Sequence, residues 1–357
     1  MMEEILREAR EAGASDVHLT AGIPPRMRVN GNLVTMNCSR LQQADTLDIL
    51  LGILPTAQQE RFEGKGEYHF SISVPDCGRF RISAFKQKGS VAMAVRLLDT
   101  KVSEPEKLGI PEPVTELYRK RRGLILVTGA AGSGKSTTLA AIIDKINTNK
   151  GLHIITLEDP IEYLHPHKMS IVNQREIGID CGTYEEAINA AVREDPDVIL
   201  LGEMRDPDTI VRAIDAAETG CLVLTSLNTM GTAAAIDQIV NVFPPYYQQQ
   251  FRIRLAKVLE AVVFQQLIPG TEGPGKAAAF EVVYANPTVR NLIREGKANQ
   301  IFGVMQTGRR PGMVTMDEAI CSLYTQGKID RENAFWYARD PEAMRLWLTA
   351  GSARKQQ

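Results

Sequence analysis

The sequence has 357 residues, 44% of them hydrophobic and 24% charged, with a formal net charge of −2. This is an ordinary globular composition, long enough for two domains, and its bulk charge gives no reason to expect nucleic acid as a partner. No apolar run approaches the ~18 residues of a membrane span, MMEEILREAREAG has no signal-peptide core, and five scattered cysteines without C-x-x-C spacing fit reduced thiols in the cytoplasm better than a structural zinc.

Residues 3–12 read as an amphipathic helix ended by Gly13, and SDVHLT (15–20) alternates like a strand. Arg26–Val29, Asn30-Gly31 and Asn32–Met36 spell a hairpin. Leu41–Leu54 has helical apolar spacing. Tyr68–Val74, Arg79–Lys86 and Val91–Leu98 are strand-like, with a turn at Pro75–Gly78. Residues 1–98 thus form an α+β domain, a size suited to one core. His18 and His69 sit in strand patterns and are expected to be structural or surface residues. The stretch 99–113, DTKVSEPEKLGIPEP, has three prolines and four acids and reads as a linker.

From Val114 to residue 357 the pattern is βα alternation with a helical C-terminal segment. Leu124–Val127 reads as a buried strand, His153–Leu157 as another, Asp197–Glu203 as a third ending on a carboxylate, and Cys221–Leu227 as a fourth. Helical stretches at 184–192 and 207–219 lie between them, and Lys276–Tyr284 is a late strand before helical 286–296 and 316–327. Strands alternating with helices predict an open parallel sheet with its ligand at the C-terminal strand edge.

That edge carries the chemistry. Gly129-Ala130-Ala131-Gly132-Ser133-Gly134-Lys135-Ser136, followed by Thr137, fits G-x-x-x-x-G-K-[ST] between a strand and a helix start. The glycines bring backbone N–H groups toward phosphate oxygens, and the helix N-terminus adds partial positive charge. Lys135 is placed for the β- and γ-phosphates and the Ser136 hydroxyl for Mg²⁺, so Mg²⁺-ATP is the expected ligand. Glu203 is a second candidate for the Mg²⁺ shell, largely through water. LEDPIEY adds Glu158, Asp159 and Glu162 at another strand end, any of which is a candidate general base.

Together, GAAGSGKST, TLEDPIEY, REDPDVILLGEMRD and AAETG resemble the secretion-superfamily ATPases, and more closely the type IV pilus retraction ATPases of the PilT (twitching motility) family. ASDVHLTAGIPPRMRVNG, VRNLIREGK and QTGRRPGMVTMDEAI extend the resemblance over nearly the whole chain. It implies a PAS-like N-terminal domain, a RecA-like ATPase domain, a homohexameric ring and ATP bound near the seam between subunits. It also implies cytoplasmic work on an inner-membrane pilus platform protein. By position, Glu162 falls at the catalytic base with Glu158 as the rival, Glu203 at the Walker B acid, and Arg81 and Arg96 at arginines offered to the γ-phosphate. Arg193 and Arg205 flank the Glu203 strand and are the candidates to complete the site in cis, whereas Arg81 and Arg96 belong to the other domain.

Two departures stand out. Where the family reads AETGHLV…TLHT, this chain reads AETGCLVLTSLNT, so Cys221 and Asn228 replace both histidines. Gln238 and Asn241 replace an arginine and an aspartate in IDQIVNVFP. The expected consequence is weakened γ-phosphate sensing. It leaves three readings: a retraction motor, an assembly or type II secretion ATPase, and a weakly hydrolysing regulatory paralogue. The assembly branch usually has a longer N-terminus and a four-cysteine zinc site, which this sequence lacks.

Overall fold

The computed structural model describes residues 1–98, 102–204, 206–271, 275–307 and 312–354. The chain divides into two compact units, Met1–Lys101 with Pro160–Leu164, and Val102–Asp159 with His165–Gln357.

The first unit is a six-stranded antiparallel sheet in the order β3-β2-β1-β6-β5-β4, accompanied by three helices. Helix α1 (Met2–Glu11) buries Met2, Ile5, Leu6 and Ala9, the spacing of one helical face, and carries Glu3 and Glu4 at its start and Arg10 at its end in accord with the helix dipole. Strand β1 (Asp16–Thr20) pairs with β2 (Arg26–Val29), which turns into β3 (Asn32–Thr35) through Asn30 and Gly31, both at positive φ. Helix α2 (Gln43–Ile53) is as expected. Helix α3 (Thr56–Lys65) was not expected, because Phe62 is its one deeply buried large apolar side chain and leaves no periodic signal. Strands β4 (Glu67–Val74), β5 (Gly78–Gln87) and β6 (Ser90–Leu98) complete the sheet. Val17, Leu19, Phe80, Ile82, Met93 and Val95 point into its core. The alternate residues, Asp16, His18, Arg79, Arg81 and Arg96, therefore share the opposite face.

In the second unit, Val102, Leu108 and Ile110 of the stretch read as a linker pack into the core, which the three prolines and four acids concealed. After the short α4 (Glu112–Thr115) comes a seven-stranded sheet in the order β13-β12-β7-β11-β10-β8-β9. Its strands are β7 (Gly123–Thr128), β8 (His153–Glu158), β9 (Ile171–Glu176), β10 (Val198–Leu201), β11 (Leu222–Leu227), β12 (Leu259–Pro269) and β13 (Lys276–Tyr284). All pairings are parallel except β12 with β13. Strands β9 and β12 were not anticipated; IVNQRE is too polar to look like a parallel strand because it lies at the sheet edge.

Helix α5 (Lys135–Asn149) follows β7 and packs on the face formed by Ile125, Val127, Ile154, Val198, Leu200 and Leu224. The other face, with Leu124, Leu126, Ile155, Leu157, Ile199, Leu201 and Val223, takes α6 (Tyr184–Ala191), α7 (Pro207–Thr219), α8 (Thr232–Asn241), α9 (Pro245–Val258) and α10 (Pro287–Arg294). After α11 (Ile301–Thr307), helices α12 (Met316–Thr325), α13 (Arg331–Tyr337) and α14 (Pro341–Arg354) close over Phe264, Ile268 and Ala279 of β12 and β13. No helix among the described residues is long and apolar enough to cross a membrane.

Candidate nucleotide site

All six residues of β7 are buried, so the strand delivers the glycine loop at the C-terminal edge of a rigid sheet. Gly129 has φ 152, and a Cβ there would run into the carbonyl oxygen of Gln265 and the Ser133 hydroxyl. Gly134 has φ 88, and a Cβ would lie 2.8 Å from Nε2 of Gln265. Gln265 of β12 is 3% exposed and accepts a 2.7 Å hydrogen bond from the Thr138 hydroxyl through Oε1. It is the wall against which the loop is moulded, and sequence reading missed it because β12 itself was missed.

On the open side, Ala130, Ala131, Gly132 and Ser136 are exposed and Thr137 is half-buried. The Ser133 hydroxyl is buried without a hydrogen-bond partner among the described residues. Lys135 donates through Nζ to the carbonyls of Gly129 (3.0 Å) and Ala130 (2.9 Å), so its ammonium arches over the loop. Backbone donors of an exposed loop, a helix N-terminus and a cation held beside them are the elements of an oxyanion cradle.

Strand β10 ends at Leu201, and Gly202 lets Glu203 follow two residues later. A Cβ at Gly202 would approach the Tyr184 hydroxyl to 2.9 Å. Oε1 of Glu203 accepts a 2.5 Å hydrogen bond from Nδ2 of Asn228, which lies just beyond β11. One of the two substituted histidine positions therefore touches the strand-end acid directly.

Cys221 is elsewhere. It immediately precedes β11, at the opposite edge of the sheet, about 20 Å away along the strand. It is 8% exposed, its thiol donates to the carbonyl of Pro196 at 3.3 Å, and burial raises its pKa. The expectation that the two substitutions act together on γ-phosphate sensing is thus corrected: β11 runs between them. Arg193 is likewise corrected; it is exposed just after α6, at the N-terminal edge of β10. Arg205 lies outside the described residues.

The LEDPIEY acids separate. Glu158 closes β8, and its Oε1 accepts from the Thr156 hydroxyl at 2.7 Å and from Nε2 of Gln174 at 3.3 Å. Oε1 of Gln174 takes the N–H of His165 at 2.8 Å. His165 is 6% exposed, and burial pushes its pKa down to about 4, keeping the imidazole neutral. Asp159 is exposed. Glu162 is half-buried, belongs to the first unit, and makes no side-chain hydrogen bond or ion pair among the described residues.

In the first unit Arg81 and Arg96 are direct cross-strand partners on β5 and β6. Like charges placed opposite each other destabilise a sheet, so this pairing asks for an anion. Asp16, registered beside Arg96, supplies part of it through a 3.0 Å ion pair to Nε. Arg81 has no ion-pair partner among the described residues, and the neighbouring Ser71 hydroxyl is buried and unsatisfied.

Comparison with known proteins follows the same lines. A sequence model of the family described as Type II/IV secretion system protein matches residues 1–333. The type IV pilus retraction ATPase PilT of Pseudomonas aeruginosa is 43% identical over 339 residues, covering 95% of this chain and 98% of that protein. The type IV pilus ATPase PilU of the same organism is 39% identical over 350 residues, 98% of this chain and 92% of its own length. The crystal structure of the pilus retraction motor PilT with bound ADP superposes with a TM-score of 0.89 at 45% identity, covering 96% of this chain and 98% of that one.

Proposed function

The chain belongs to the Type II/IV secretion system protein family, and from that premise we propose that it is an ATP-hydrolysing motor of type IV pilus retraction, the process behind twitching motility. The observation that carries the reading is the complete glycine-loop cradle with Lys135 arched over it, in a chain similar to PilT along nearly its full length.

The chemistry divides among the residues as follows. The N–H groups of Ala130 to Thr137 cradle the phosphates, and Lys135 exchanges its two carbonyl acceptors for β- and γ-phosphate oxygens. Ser136 and Glu203 offer a hydroxyl and a carboxylate, hard oxygen donors that suit Mg²⁺. That ion, when bound, neutralises charge on the β- and γ-phosphates. Glu162 takes the proton of the attacking water. Its rival Glu158 already has one oxygen engaged by Thr156 and Gln174, whereas Glu162 has both oxygens uncommitted. Arg81 and Arg96 supply planar, permanently charged groups to the γ-phosphate as negative charge shifts onto the leaving group.

The working form is a homohexameric ring in the cytoplasm, with residues 1–98 as a PAS-like domain and the ATPase unit RecA-like. The ring transmits its motion to an inner-membrane pilus platform protein. The weakly hydrolysing, regulatory reading draws on one observation, the Asn228–Glu203 hydrogen bond, which substitutes a neutral amide for an imidazole beside the metal-shell acid. The test is genetic: piliated cells lacking this chain should keep long surface pili and lose twitching, and Lys135→Ala should not restore it. Normal retraction in the deletion strain would sink the motor reading.

A further inference from the structure

Residues Pro160–Leu164 leave the ATPase unit and compact with the first unit, so the acid read as the base is carried by the N-terminal half of the chain. Two attachments define this arm. At its ends, Gln174 on β9 holds the N–H of His165 through Oε1 (2.8 Å) and Glu158 through Nε2 (3.3 Å), tying the end of β8, two residues before the arm, to the residue after it. At its tip, Ile161 is 5% exposed, and its carbonyl accepts a 3.0 Å hydrogen bond from Nε of Arg79. Arg79 is itself steered by β4, donating through Nη1 to the Ser73 hydroxyl at 3.2 Å, in register across the ladder. Pro160, with its fixed φ, stiffens the short span. Glu162 is the next residue after the pinned carbonyl.

We propose that Arg79 is a positioning residue that holds the arm bearing Glu162; this rests on the reading of Glu162 as the base. A competing role is visible. Arg79 lies two residues from Arg81, on the same face of β5, and would serve equally as a third phosphate-binding arginine. The hydrogen bonds favour the positioning role, because Nε is engaged by the arm's Ile161 carbonyl and Nη1 by Ser73 of β4, which ties the arm to the strand.

The experiment uses the full chain with Arg79→Gln, Arg79→Lys and Gln174→Ala, alone and combined with Glu162→Gln. Steady-state hydrolysis, binding of a fluorescent ATP analogue and amide hydrogen exchange of 159–165 are read together. Misplacing a reacting group by about 1 Å costs on the order of 10²-fold, so Arg79→Gln should lower kcat by about that factor with KM and analogue affinity unchanged. Lysine should recover part of the rate, and Arg79→Gln should add nothing to Glu162→Gln. Exchange within the arm should accelerate in Arg79→Gln. If Arg79→Gln fails to fold, Arg79→Lys and Gln174→Ala carry the same test. A raised KM at unchanged kcat would make Arg79 a phosphate contact and overturn the proposal, as would unaltered exchange in the arm. Full turnover in Glu162→Gln would instead overturn the assignment of the base while leaving the exchange result to judge the arm.

Discussion

The phosphate cradle and the acid-bearing arm are held by different parts of the molecule and by different kinds of contact. The cradle is backbone on top of a fully buried strand, moulded against Gln265 of β12 within the ATPase unit. The arm at 160–164 is tied at its ends to β9 but compacts with the N-terminal unit through the Arg79–Ile161 bond. On the proposed reading, nucleotide binding rests on the cradle alone, and turnover rests in addition on Glu162 of the arm.

The comparison can be broken most sharply at the cradle. Lys135→Ala removes the charge that arches over the loop, and charged hydrogen bonds are worth roughly 1.5–3 kcal/mol each. Nucleotide affinity should fall by about 10- to 10²-fold per lost bond and hydrolysis should vanish, as read by analogue binding and phosphate release. Retained turnover would end the phosphate-cradle account.

A smaller effect distinguishes the two ends of β11. Asn228→His keeps a donor for Glu203 and adds a group able to carry charge near neutral pH, so kcat should rise by about tenfold at unchanged affinity. Cys221→His should leave kcat alone. Its buried position beside Pro196 has no room for an imidazole, so the cost is stability, about 1–3 kcal/mol by thermal denaturation. A rate gain that required both substitutions would contradict the placement of Cys221.

Much of the cradle was legible because its signal is local: Gly129, Gly134, Lys135 and Ser136 lie within eight consecutive positions, and a strand and helix flank them. What makes the site work at longer range was not. Gln265 is 127 positions from the Thr138 it bonds, on a strand that Gln265-Gln266 disguised as polar. Gln174 sits on an edge strand without an apolar pattern, so nothing in IVNQRE announced that it ties Glu158 to His165. Cys221 and Asn228 looked like a pair in AETGCLVLTSLNT, but six residues of strand separate two opposite edges of a sheet, which spacing shows only once the strand is recognised as spanning it. Arg81 and Arg96, fifteen positions apart, became informative when register set them face to face.

The most direct test of the division between binding and hydrolysis is Glu162→Gln in the full chain, with analogue affinity and phosphate release measured on the same preparation. The amide preserves shape and removes the acceptor for the water proton, so affinity should stay at the native value while turnover drops by at least 10²-fold. Native turnover, or an equal loss of affinity, would contradict the account and move the base to Glu158 or the arm into the binding site.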